Sequence, residues 1–119
     1  MMIAPDSWIR TMEVGFPLVE EINNSKPIMV FIHGYGGSSA LFFELMKPLS
    51  VHFHAIFIDI IGMGGSSRSD YTVTTSSEAV DYFMDFLEKW RSARSITGFN
   101  LVAHSFGGYL AGLYNVRYP

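Results

Sequence analysis

The stretch NLVAHSFGGYL, residues 100–110, decides how this chain is read. Its first half is an apolar run of strand length, its second half reads as the start of a helix, and Ser105 stands at the junction. A strand that turns at once into a helix leaves the apex residue in a strained backbone conformation, its side chain projecting above the sheet edge. Strand and helix then crowd each other, so the positions two before and two after the apex must be small. Here they are Ala103 and Gly107, flanking His104-Ser105-Phe106, and Gly108 is expected to add further room. The usual form is G-x-S-x-G, and alanine at its first position is a small departure. Ser105 is therefore a candidate nucleophile. The N–H of Phe106, at the start of the following helix, is a candidate oxyanion donor.

A second donor must come from another loop. Working outward, IMVFI (residues 28–32) is an unbroken apolar run that reads as a strand buried on both faces, and it ends at the glycine-rich loop HGYGGSS. That loop offers the Tyr35 N–H as the second donor, with His33, Gly34, Gly36 and Gly37 shaping it. SALFFELMKPLS follows with apolar residues at 41, 42, 45, 46 and 49, a helical spacing that Pro48 is expected to close. AIFIDI (55–60) gives a second buried strand, leading into the loop IGMGGSSRSD, where Met63 reads as a packing residue.

Thr75-Ser76-Ser77-Glu78 has the spacing of a capping box, so a helix is expected to start there. Val80, Phe83, Met84, Leu87 and Trp90 form its apolar stripe. Asp81, Asp85, Glu88 and Lys89 occupy the other, solvated face, with Asp85 and Lys89 spaced as an ion pair. After a break at Gly98 come a third strand, FNLVAH, and a third helix, FGGYLAGLYNVRYP. Ahead of all this, residues 8–22 read as an early hairpin or two short strands around Gly15-Phe16-Pro17. The alternation from residue 28 onward predicts an α/β fold: a mostly parallel sheet with helices on both faces, and sites at the carboxyl ends of the strands.

Composition sets the outer limits. With 49% hydrophobic and 16% charged residues in 119, the chain is one compact domain at most and is not disordered. A net charge of -3 gives no electrostatic footprint for nucleic acid. Without cysteine there are no disulfides or thiolate metal sites, which points to an intracellular, cytoplasmic location. MMIAPDSWIRTMEVG lacks the pattern of a signal peptide, and no run approaches the roughly 18 apolar residues of a membrane span. Any membrane contact is expected to be peripheral.

FIHGYGG, DIIGMGGSSR and LVAHSFGGYLAGLYNVRYP together resemble the N-terminal part of the α/β-hydrolase superfamily. Asp59 to Arg68 and the helix segment YFMDFLEKWR most resemble the abhydrolase subgroup that acts on lysophospholipids and N-acyl phosphatidylethanolamines and contains the lipid-droplet lipase co-activator. The resemblance implies Ser105 as nucleophile, Tyr35 and Phe106 as backbone oxyanion donors, and Asp59 as a structural brace of the loop after its strand. It implies an acyl ester or amide of a lipid as substrate, acyl transfer to a lipid acceptor as a companion activity, contact with membranes or lipid droplets, and no cofactor. The rival readings are a non-catalytic lipase-regulating protein and a peptidase or small-ester hydrolase of the same fold. Serine at position 105 favours hydrolysis over the first of these.

In this superfamily the triad runs Ser, then Asp or Glu, then His. The fourteen residues after Ser105 contain none of these three types. Residues 1–119 are therefore expected to be a partial domain, lacking later strands, the cap, the catalytic acid and the catalytic His, and inactive alone. Upstream, His104 is expected to pack in the core, since neighbouring strand residues point to opposite faces. His33 is expected to brace its loop. His52 and His54 are expected to share one face of the alternating segment VHFHA as a solvated or edge-facing pair, with no third ligand for a metal, and Asp70 reads as a solvated residue.

Overall fold

A computed structural model describes residues 1–15, 26–68 and 71–119. Three strands carry the apolar runs: β4 (Ile28–Ile32), β5 (His54–Ile58) and β6 (Asn100–Ala103). They lie parallel, β4 between the other two, with Ile32 level with both Ile58 and Ala103. A fourth strand, β3 (Thr11–Val14), pairs antiparallel with β5, so the sheet order is β3-β5-β4-β6. A small hairpin of β1 (Met2–Ala4) and β2 (Ser7–Trp8) precedes it. Level strand ends have a direct consequence: His33, Asp59 and His104, the residues that follow, form a row along one edge of the sheet.

Alternation along the strands divides the core into two layers. Val30, Ile32, Ile56 and Ile58 face α2 (Ser76–Ala93) and α3 (Phe106–Arg117), meeting Met84, Leu87, Trp90 and Leu110. Phe31, Ala55 and Phe57 face the other way and are covered by Phe42, Met46 and Leu49, from a single 3-10 turn (Ser39–Phe42) and α1 (Phe43–His52). Phe31 and Phe57 stack at 4.7 Å across the strands. Each such buried side chain contributes about 1.5–3 kcal/mol by leaving water. The expected α/β architecture is the one observed.

Helix α2 starts where the capping box places it. Thr75 Oγ1 accepts the Glu78 N–H at 3.1 Å, but Glu78 reaches back to the N–H of Thr74 instead of the cap residue. The Asp85–Lys89 pair forms at 2.9 Å. Glu88, expected on the solvated face, instead joins α2 to α3: it takes a bidentate bond from Arg91 and the hydroxyl proton of Tyr114 at 2.5 Å.

Other expectations are corrected. Pro48 does not close α1, which runs on to His52; a proline forfeits one backbone bond, and the seating of Met46 and Leu49 on Phe31 and Phe57 carries the helix past it. His52 and His54 do not share a face, because His52 ends a helix and His54 begins a strand, where its Nε2 pairs with Glu13 at 2.7 Å. The second strand ends at Ile58, although Ile60 and Ile61 beyond it stay buried. The early hairpin lies further upstream than expected, and Thr11–Val14 joins the main sheet. Residues 16–22 of that segment, and Asp70, lie outside the described residues.

Candidate active site

The turn from β6 into α3 has Ser105 at its apex with φ 56° and ψ -118°. An L side chain is disfavoured there by about 1–3 kcal/mol, a cost borne only where the surroundings impose it. Those surroundings are visible at Gly107. A Cβ on Gly107 would lie 2.6 Å from the Ile32 carbonyl oxygen, so α3 is pressed directly against the end of β4. Gly108 differs: nothing lies within 4 Å of a Cβ there, so its smallness is not required by packing. Ala103, the last residue of β6, is half-buried against the core.

The Ser105 side chain is exposed and, among the described residues, its hydroxyl has no hydrogen-bond partner. The loop after β4 meets it from the side: a Cβ on Gly34 would stand 3.2 Å from Ser105 Cβ. Gly34 thus permits a close approach that any side chain would hold apart. Gly36 adopts φ 72°, and Gly37 N–H donates to the Gly34 carbonyl at 3.1 Å, closing the turn. Phe106 is the first residue of α3, so its N–H has no carbonyl a turn back within the helix. Tyr35 is 83% exposed, and its ring meets that of Phe106 edge to face at 6.4 Å. Sequence-expected residues from two loops are thereby brought together: Gly34 and Tyr35 from one, Ser105 and Phe106 from the other.

The histidines divide sharply. His33 is fully buried, its Nε2 accepts the Ile60 N–H at 3.0 Å, and its Nδ1 lies 2.6 Å from the Gly34 carbonyl, so Nδ1 carries the proton. Both ring nitrogens are committed to the loops. His33 thereby ties the loop after β4 to Ile60 in the loop after β5. His104 is exposed, against the expectation of a packed core residue, with its Nδ1 3.3 Å from where a Cβ on Gly34 would lie.

Asp59 is the most heavily bonded polar group of the row. It is fully buried, Oδ1 accepts the Ser39 N–H at 2.7 Å, Oδ2 accepts the Gly65 N–H at 2.8 Å, and Arg10 stands at 3.6 Å. Burial pushes its carboxyl up, but the two backbone donors and Arg10 outweigh it and hold the group below the usual carboxylate range. The brace expected of this aspartate therefore spans two loops, after β4 and after β5.

Sequence reading missed a third partner in that brace. Trp8 N–H donates to Ser67 Oγ and Arg10 N–H to Ser66 Oγ, both at 3.0 Å, and the Trp8 indole donates to the Gly65 carbonyl. The N-terminal hairpin so fixes the loop after β5, through contacts some 56 to 59 residues apart that no local spacing announces. Between this loop and the one after β4 lies a cleft of about 300 Å³, lined by Tyr35, Gly36, Gly37, Gly62, Met63, Gly64 and Arg68. Met63 both packs on the core and lines this cleft. Among the described residues no cluster of three or more His, Cys, Asp or Glu is placed to hold a metal, and no helix is long and apolar enough to cross a membrane.

Residues 27–119 match a family model described as alpha/beta hydrolase fold. The chain is 43% identical over 93 residues to a 1-acylglycerol-3-phosphate O-acyltransferase of Arabidopsis thaliana, covering 78% of this chain and 22% of that protein. It is 34% identical over 96 residues to a (lyso)-N-acylphosphatidylethanolamine lipase of Homo sapiens, covering 81% and 28%. Among solved structures it resembles DBJA, with a TM-score of 0.79 and 26% identity over 98% of this chain and 35% of that one. The chain spans roughly a quarter of the length of the curated relatives it matches.

Proposed function

Because the chain belongs to the alpha/beta hydrolase fold family, we propose that it provides the nucleophile and oxyanion half of a serine hydrolase that cleaves acyl ester or amide bonds in lipids, lysophospholipids or N-acyl phospholipids. One observation carries this reading: Ser105 is held at a strained, solvent-facing apex, its hydroxyl without a protein partner among the described residues. Ser105 Oγ attacks the acyl carbonyl, and the N–H groups of Phe106 and Tyr35 receive the oxyanion that develops. A histidine outside residues 1–119 takes the serine proton and returns it to the leaving group, oriented by an acid also outside them. Of the histidines present, His33 is fully bonded and His54 is engaged with Glu13 at the opposite end of β5. The acyl-enzyme is then released to water or to the hydroxyl of a lipid acceptor. The relatives named as a lipase and as an acyltransferase support both fates.

Such substrates are membrane components, so peripheral contact with a lipid surface from the cytoplasm belongs to the same reading. The test is fluorophosphonate labelling of the full-length protein with Ser105→Ala as control. Labelling that disappears in the variant is the expected result; labelling that survives it removes Ser105 from the mechanism.

A further inference from the structure

A row of aromatic rings starts beside Ser105. Between ring centres, Phe106 lies 5.4 Å from Phe83 on α2, Phe83 5.1 Å from Tyr82, and Tyr82 5.0 Å from Tyr71. Tyr35, from the loop after β4, joins the near end at 6.4 Å from Phe106. Successive planes are inclined at 83° to 87°, so each ring meets the next edge to face. Phe106, Phe83 and Tyr82 pack on the core by one side yet are only half-buried, and Tyr71 is 54% exposed. Single exposed apolar side chains are ordinary, whereas a contiguous strip of them marks a surface that takes an apolar ligand. The carboxylates beside Tyr82 are paired, Asp81 with Arg117 at 3.0 Å and Asp85 with Lys89 at 2.9 Å, and set no bare charge along the row. The cleft between the loops after β4 and β5 contrasts with it: four of its seven lining residues are glycines, which offer backbone where the row offers rings.

We infer that this row is the track of the substrate's acyl chain, its carbonyl at Ser105 and its methylenes laid along Phe106, Phe83, Tyr82 and Tyr71 in that order. The assignment rests on the serine-hydrolase reading above and adds to it the residues that select chain length. Continuity names the occupant: Phe106 supplies both the N–H that receives the oxyanion and the first ring, so the chain attached to that carbonyl begins against the row. A methylene chain has no hydrogen bonds to make and gains by leaving water against the rings. An extended chain advances about 1.2 Å per bond, so each ring-to-ring step takes up about four methylenes. Phe83 is then met from about the sixth carbon and Tyr71 only from about the fourteenth.

The test is hydrolysis of p-nitrophenyl butyrate, decanoate and hexadecanoate in neutral detergent micelles by the full-length protein, Phe83→Ala and Tyr71→Ala. Each long ester is read as the ratio of its kcat/KM to that of the butyrate, so a general loss of activity cancels. Phe83→Ala is expected to lower both ratios roughly ten-fold, and Tyr71→Ala to lower the hexadecanoate ratio alone, by less. An unchanged decanoate ratio in Phe83→Ala overturns the assignment while leaving the Ser105 reading intact. So does an unchanged hexadecanoate ratio in Tyr71→Ala, or a decanoate ratio that both variants lower equally, since the order along the row is then lost. If no ester is turned over, the Ser105 reading fails by itself, and calorimetric binding of decanoate and butyrate decides the row. Tighter binding of decanoate that is lost in Phe83→Ala upholds it, and equal or absent binding overturns it. Should Phe83→Ala not fold, the exposed Tyr71 carries the test: a lowered hexadecanoate ratio in Tyr71→Ala upholds the assignment and an unchanged one overturns it.

Discussion

Ser105 and Asp59 stand at the same edge of one sheet, within two residues of level strand ends, and the fold treats them in opposite ways. Asp59 is buried and has its oxygens filled by Ser39, Gly65 and Arg10. Ser105 is exposed and strained, and its hydroxyl has no protein partner among the described residues. A polar group that is buried and fully satisfied stabilises the structure around it, whereas a side chain held on a disfavoured backbone conformation lowers stability and is kept for what it does. The contrast separates a brace from a reactive group more sharply than either residue's chemistry would alone.

If that contrast holds, the two positions respond differently to truncation. The largest effect is on turnover: Ser105→Ala is expected to reduce kcat by at least about 10³-fold while leaving the melting temperature unchanged, since alanine keeps the same strained backbone. Steady-state kinetics beside thermal unfolding of the full-length protein reads both. Asp59→Ala is expected to do the reverse at its root, costing about 2–4 kcal/mol because two buried N–H donors lose their acceptor. Urea unfolding measures it, and an undiminished midpoint would reduce Asp59 to a bystander.

Proton linkage adds a sign to the same comparison. A carboxyl held below its ordinary value stabilises the fold above the unfolded pKa, near 3.9 for aspartate, and that stabilisation is lost as pH falls from there through the lower folded value. Asp59→Asn is therefore expected to flatten the acid limb of the stability curve, whereas Ser105→Ala leaves it as it was.

Much of this site was legible in the sequence because it is made of local turns. AHSFGG and HGYGG each carry their geometry within a few residues, and the level strands that join them follow from apolar runs of known length. The brace was legible only in part. Asp59 was expected to hold the loop after its own strand, but Ser39, Trp8 and Arg10 reach that loop by non-local hydrogen bonds, which leave no period or motif to read. The exposure of His104 was hidden for a related reason. Alternation gives the face of a residue but not whether a neighbour covers that face. Pro48 misled because a local rule was outweighed by two packed side chains, Met46 and Leu49.

Smaller effects test how closely the elbow is packed. Gly107→Ala is expected to cost about 1–3 kcal/mol, because its methyl must displace the backbone of Ile32, and leucine there or at Ala103 to cost more. Gly108→Ala, one residue further along the same helix, is expected to gain up to about 1 kcal/mol, since alanine is the better helix former and meets open space. Thermal unfolding of the pair gives opposite signs if the turn is as tight as described. Equal shifts would mean that strand and helix are not pressed together at this point.

The finest test lies at Ser105 itself. Glycine adopts φ 56° without the penalty that any side chain incurs there, so Ser105→Gly is expected to raise stability by about 0.5–1 kcal/mol relative to Ser105→Ala, both being inactive. Measured against each other, the two variants isolate backbone strain from the loss of the hydroxyl. A gain shows that the fold carries a cost in order to hold a side chain at the apex, which a bracing residue such as Asp59 has no reason to impose. Equal stability would mean that the apex is relaxed, and the distinction between the two ends of the row would then rest on hydrogen bonding alone.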